Sequence, residues 1–195
     1  KVSFRQESFL PALDQGYGLI NSTRHGGELN RGKRKGRRPL DRKQALHVVL
    51  RSSLARGSWS MLKPQHAHSI HEFTHQLADR WGVRIYRYAN VGNHIHLLIR
   101  ARSRAVFQRF LRELTGTIAI IVTGAKKGMP VRTLKQERGF WDYLAFTRIV
   151  HFGRDFEGLK LYLIKNLFEA AGVPMKKLLA EGVQLIGIRG DPPPA

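Results

Sequence analysis

Two strand-forming runs joined by a tight turn, with helix-forming stretches on either side, restrict this chain to an α+β fold. Val83 to Ala89 is dense in β-branched and aromatic residues, Val91-Gly92-Asn93 supplies turn chemistry, and His94 to Arg100 alternates polar with apolar. Together they read as a hairpin. Upstream, Leu46, Val48 and Leu50 alternate with His47, Val49 and Arg51, which predicts a strand from Ala45. Ser69-Ile70-His71-Glu72 has capping-box spacing, and Phe73, Leu77 and Trp81 follow at helical intervals, so a helix of about three turns should stop near Gly82. Ser103 can cap a longer helix with Phe107, Phe110, Leu111, Leu114, Ile118 and Ile121 as its apolar stripe. That helix should end at Gly124, before the basic loop Lys126-Lys127-Gly128-Met129-Pro130. Phe140 to Val150 reads as a strand. Residues from about Arg154 to Ala170 read as a last helix with Phe156, Leu159, Leu163 and Leu167 inward, closed by Gly172 and Pro174. The order β-α-β-β-α-β-α is the ferredoxin-like arrangement: a central antiparallel sheet flanked by helices, with an added C-terminal helix.

At 195 residues and 42% hydrophobic content, the chain can build one domain with a true core. That domain is expected over residues 41–172. Residues 1–40 carry few periodic apolar positions and the run Arg31 to Arg38, six of whose eight residues are basic, and read as an extended arm. Such a run is either a solvated tail or a segment that lies along phosphates, with Arg34 and Arg37 as candidates. Residues 173–195, ending in Asp191-Pro192-Pro193-Pro194, are expected to be an unpacked tail.

Lys and Arg number 34 against 14 Asp and Glu, a net charge of +20, which attracts polyanions at long range. A nucleic acid is the favoured partner over a ribosomal or membrane-surface role. The absence of cysteine removes disulfides, thiolate zinc sites and cysteine nucleophiles, and fits a reducing cytoplasm. No apolar run approaches the roughly 20 residues that span a bilayer, and the first residues lack the pattern of a signal peptide.

The chemistry concentrates in Asn93-His94-Ile95-His96-Leu97-Leu98-Ile99-Arg100. On a strand, Ile95, Leu97 and Ile99 enter the core together, while His94, His96 and Arg100 share the other face. Residues two apart are about 6.6 Å apart along a strand, so two imidazoles can converge on one cation. Taken alone, two polar residues on the wet face of a half-buried strand look the same. In the last helix Tyr162 and Asn166 are four residues apart, hence on one side, with Cβ atoms roughly 5–6 Å apart and off the apolar stripe. If that helix packs beside the histidine strand, Asn166 can offer an amide oxygen as third ligand while Tyr162 faces a phosphate bound to the same ion.

These two segments carry a resemblance. Val91 to Ile99 resembles the NHxHLL signature of the single-tyrosine transposases of the HUH superfamily. Tyr162-Leu163-Ile164-Lys165-Asn166 is similar to their helical tyrosine with a metal-binding Gln or Asn four residues on, Asn here standing where Gln also occurs. The match in element order runs from about Ala45 to Gly172, and the nearest likeness is to the subgroup associated with repetitive extragenic palindromes.

The resemblance implies an enzyme that nicks and rejoins single-stranded DNA near hairpins, through a covalent 5′-phosphotyrosine and a free 3′-OH. It implies His94, His96 and Asn166 as ligands to a divalent ion, Mg²⁺ or Mn²⁺, and Tyr162 as the nucleophile. A free phenol has a pKa near 10, so a neighbouring cation or base must help remove its proton, and Lys165 stands one helical turn away. His47, on a neighbouring strand, competes with Asn166 as a ligand. Arg51, Arg100, Arg102 and Lys165 are further candidates for holding DNA backbone, beside Arg34 and Arg37. Action at the nucleoid of a bacterial cytoplasm is expected. Monomer or homodimer, and use of Tyr162 within or between subunits, both stay open. The alternative is a non-catalytic ferredoxin-like module that binds DNA or RNA and never cuts.

Overall fold

The computed structural model describes residues 23–32, 36–125 and 139–173. Its elements in chain order are β1 (Arg24–His25), β2 (Ala45–Arg51), α1 (Pro64–Trp81), β3 (Val83–Asn90), β4 (His94–Ala101), α2 (Arg104–Thr123), β5 (Phe146–Val150) and α3 (Arg154–Ala170), with short 3-10 turns at Gly27–Asn30 and Gly57–Trp59. The five strands form one sheet in the order β1-β5-β2-β4-β3, every pair antiparallel. Without β1, that order is the ferredoxin-like one expected of a β-α-β-β-α-β chain.

Strand alternation divides the sheet into two faces. Leu46, Val48 and Leu50 of β2 lie beside Ile99, Leu97 and Ile95 of β4, all fully or almost fully buried against α1 and α2. Ile70 and Leu77 of α1, with Phe107, Phe110, Leu114 and Ile118 of α2, complete that core. The other face carries Leu98 and Val150, and α3 covers part of it through Phe156, Leu159 and Leu163. β4 is thus buried on both sides.

Helix α1 begins at Pro64, five residues before the expected Ser69. Proline at the first helical position preorganises φ, and the Ser69 hydroxyl donates to the Gln65 carbonyl inside the helix instead of capping it. The helix does end at Gly82, which is left-handed at φ 60°, with the Arg102 guanidinium packed over it. Ser103 caps α2 by accepting from the Val106 amide, and Gly124 closes it, but Val122 rather than Ile121 is buried at its end.

Three further expectations change. Only Phe146–Val150 of the 140–150 run is strand, because Ser52 draws its hydroxyl to the Phe140 carbonyl and the Asp142 amide donates to the Arg51 carbonyl, fastening a bent segment to the end of β2. Leu167 is 37% exposed rather than inward. The expected arm contributes β1, which pairs with β5. It is stitched there by Arg38, which donates to the Ala145 carbonyl at 2.5 Å and the Thr147 hydroxyl at 3.2 Å, and by the His25 ring bonded to the Gly36 carbonyl at 3.0 Å. Arg34, the loop at 126–130 and the tail at 191–194 lie outside the described residues. Among the described residues no helix is long and apolar enough to cross a membrane.

Helix α3 is anchored at its first turn by Asp155, whose two oxygens accept from both Nη atoms of Arg148 on β5 at 2.9 and 3.0 Å. Both side chains are largely buried, at 13% and 26% exposed, so the forked pair is worth more than a surface one. Asp155→Ala should cost about 1–3 kcal/mol. In hydrogen exchange the α3 amides should lose protection while those of α1 and α2 keep it; a uniform loss across the chain would show that the pair does not anchor α3 locally.

Candidate active site

The register of β4 fixes the site. His94 lies opposite Arg51, and His96 lies between Val49 of β2 and Ala89 of β3. Both imidazoles therefore share the face that α3 covers, with ring centroids 4.7 Å apart and planes at 72°. His96 is only 3% exposed, because α3 lies over the face it shares with His94. Tyr162, half-buried against the cluster under α3, meets His96 edge-on with centroids 6.0 Å apart and planes at 88°. The hydroxyl-bearing helix and the histidine strand thus come together as the two motifs required.

His47 joins them from β2. Its Nε2 is 3.1 Å from Nδ1 of His96, the two rings lying 10° from parallel with centroids 5.3 Å apart. His94 is engaged at the equivalent atom, its Nδ1 donating to the Asn93 side-chain oxygen at 2.6 Å. Each motif histidine therefore has Nδ1 occupied by a neighbour. The Nε2 of His96 is buried and, among the described residues, has no hydrogen-bond partner.

Burial keeps all three imidazoles neutral. Desolvation first, then the Arg148 charge, brings His47 down to about 3; desolvation and then Arg51 bring His94 down to about 4. His96 falls well below the ordinary 6.5 through desolvation and its two histidine neighbours. Neutral rings with engaged Nδ1 atoms present Nε2 lone pairs, a donor set that suits a borderline divalent cation. Among the described residues no three His, Cys, Asp or Glu side chains gather as a complete cage. Among the described residues, the half-buried amide of Asn166, on the Tyr162 side of α3, has the chemistry of a third ligand.

The remaining candidates are dispersed. Arg51 is beside His94, its Nε 3.8 Å from Asp142 and its side chain 55% exposed. Lys165 is exposed and directs its ammonium to Glu169 at 3.6 Å, along the helix. Arg100 pairs in register with Arg84, four residues along β4 from His96, and the Arg102 guanidinium covers Gly82 at the end of α1. Arg37 is exposed in the segment leading to β2. Asn93, read from sequence only as a turn residue, and the Arg148–Asp155 pair were missed. An Asn directly before the first histidine is the one local signal for Asn93; Arg148 reaches the site only through its cross-strand register with His47.

A family model described as "Transposase IS200 like" matches residues 42–148, a span that ends before α3. A solved structure described as a candidate transposase from Deinococcus radiodurans R1 is similar at 19% identity with a TM-score of 0.40, covering 69% of this chain and 97% of that one. No curated protein matches.

The depressed histidines give the fold an acid limit. The unfolded chain takes up protons below pH 6.5 that the folded chain refuses, so stability is fully present above 6.5 and is lost as pH falls toward the folded values near 4 and 3. The slope is about 1.4 kcal/mol per pH unit for each fully neutralised imidazole. Urea midpoints measured from pH 7 to 4.5 should fall steadily, and less steeply in His47→Gln; a level profile would contradict the buried neutral cluster.

Proposed function

The chain belongs to the IS200-like transposase family, and on that premise we propose that it is a metal-dependent single-stranded-DNA nuclease and strand transferase that acts near hairpins with Tyr162 as nucleophile. The observation that carries the reading is the edge-on contact of Tyr162 with His96, itself 4.7 Å from His94, on one face of the sheet.

In the proposed step the Tyr162 phenol oxygen attacks a phosphorus atom in line with the departing 3′ oxygen. The tyrosyl P–O bond forms, the bond to the 3′ oxygen breaks, and that oxygen takes up a proton from solvent and leaves as a 3′-OH. The phenol proton passes to solvent or to a nearby base. The 5′-phosphotyrosine keeps the energy of the broken diester, so a 3′-OH can reverse the step without a nucleotide cofactor. A divalent ion, Mg²⁺ or Mn²⁺, held by His94, His96 and Asn166, would neutralise charge growing on the non-bridging oxygens and orient the scissile bond. Burial of His96 and half-burial of Tyr162 exclude water from one side of the reacting group, which strengthens every charge interaction there. Arg51, beside His94, is the candidate closest to the motif for holding a flanking phosphate. The net charge of +20 supports a DNA partner, which implies work at the bacterial nucleoid.

An end-labelled oligonucleotide with a hairpin and a single-stranded flank tests this. With Mn²⁺ present, label should become covalently attached to protein, and Tyr162→Phe should leave no adduct while changing DNA affinity by less than about tenfold, or 1.4 kcal/mol. Replacing His94 and His96 together with Ala should remove both cutting and its metal dependence. Undiminished adduct in Tyr162→Phe would reassign the nucleophile; binding without any cutting in the unaltered protein would reduce it to a nucleic-acid-binding module.

A further inference from the structure

We infer that His47 is a positioning residue for His96: its Nε2 accepts the Nδ1–H of His96 and so fixes the tautomer in which His96 Nε2 carries a lone pair. The inference rests on the reading of His96 as a metal ligand. A neutral imidazole has one N–H, and coordination through Nε2 is possible only when the proton is on Nδ1. That proton needs an acceptor, because the ring is 3% exposed and water is excluded. His47 supplies it at 3.1 Å from β2, the strand hydrogen-bonded to β4, so the acceptor is fixed by sheet register. Its ring is further held edge-on against Phe146, with centroids 6.3 Å apart.

Two other observations point the same way. His94 is given the same treatment, its Nδ1 donating to the Asn93 oxygen, so both motif imidazoles have the atom that cannot coordinate engaged by a residue outside the ligand set. His47 itself is costly to the fold: it is 4% exposed and its own Nδ1 is buried without a hydrogen-bond partner among the described residues. A leucine would fill that position without stranding a polar atom, so folding alone does not account for an imidazole there. Ligand-orienting partners of this kind are worth 10- to 100-fold in metal affinity in other proteins.

Mn²⁺ binding to the full chain, followed by the electron paramagnetic resonance of the free ion, tests the inference with His47→Leu and His47→Gln, each checked for folding by circular dichroism. His47→Leu, which removes the acceptor, should bind Mn²⁺ about 10- to 100-fold more weakly. His47→Gln, whose amide oxygen can accept, should bind close to the unaltered protein. Independently of any metal, nitrogen-15 spectra of the histidine rings in the unaltered, metal-free protein should place the His96 proton on Nδ1. A folded His47→Leu that binds Mn²⁺ as tightly as the unaltered protein overturns this inference alone, and so does a His96 proton found on Nε2. Failure of the unaltered protein to bind Mn²⁺ overturns the metal reading and this inference with it.

Discussion

The docking of α3 across one face of the sheet is the constraint on which the site depends. It places Phe156, Leu159 and Leu163 over Leu98, Ala45 and Val150, and each such side chain, moved out of water, stabilises by roughly 1.5–3 kcal/mol. The same contact removes water from His96 and holds Tyr162 against it. Apolar burial on one part of the helix thus offsets the cost of desolvating polar groups beside it. The Arg148–Asp155 fork fixes one end of the helix, so the position of Tyr162 two turns later follows from a charge pair and a leucine ladder.

Much of this was legible because local periodicity and local function coincide. The alternation in β2 and β4 gave the faces correctly, so His94 and His96 could be assigned to one side before any packing was known. The i, i+4 spacing of Tyr162 and Asn166 likewise needs only a helix. What escaped were features set by pieces distant in sequence. Strand β1 exists because β5 offers it an open edge, and no pattern in Arg24–His25 announces it. The burial of His96 depends on a helix 60 residues away. The start of α1 was misread because a plausible cap at Ser69 masked the plainer signal of Pro64. Strand order alone puts His47 near His96; only side-chain geometry shows that its Nε2 meets the His96 ring at 3.1 Å.

Glycine illustrates a second limit. Gly82 was readable as a helix stop, because C-terminal glycines adopt left-handed backbone. Gly26 was not: a Cβ there would lie 2.0 Å from the Ala145 carbonyl oxygen, across more than a hundred residues. Its requirement arises from a tertiary approach that a sequence window cannot contain.

The electrostatics of the site and of the whole molecule act in opposite senses. The surface potential of a chain with net charge +20 draws phosphates in, yet repels a free divalent cation. Inside, burial keeps His47, His94 and His96 neutral, and Arg51 and Arg148 add positive charge at their margins. On the proposed ligand set of His94, His96 and Asn166, no protein group would contribute negative charge, so a bound ion would keep its full charge. On that proposal a phosphate oxygen would supply the missing anion. In the proposed site, neutral ligands within a basic protein would therefore favour joint occupancy by ion and nucleic acid.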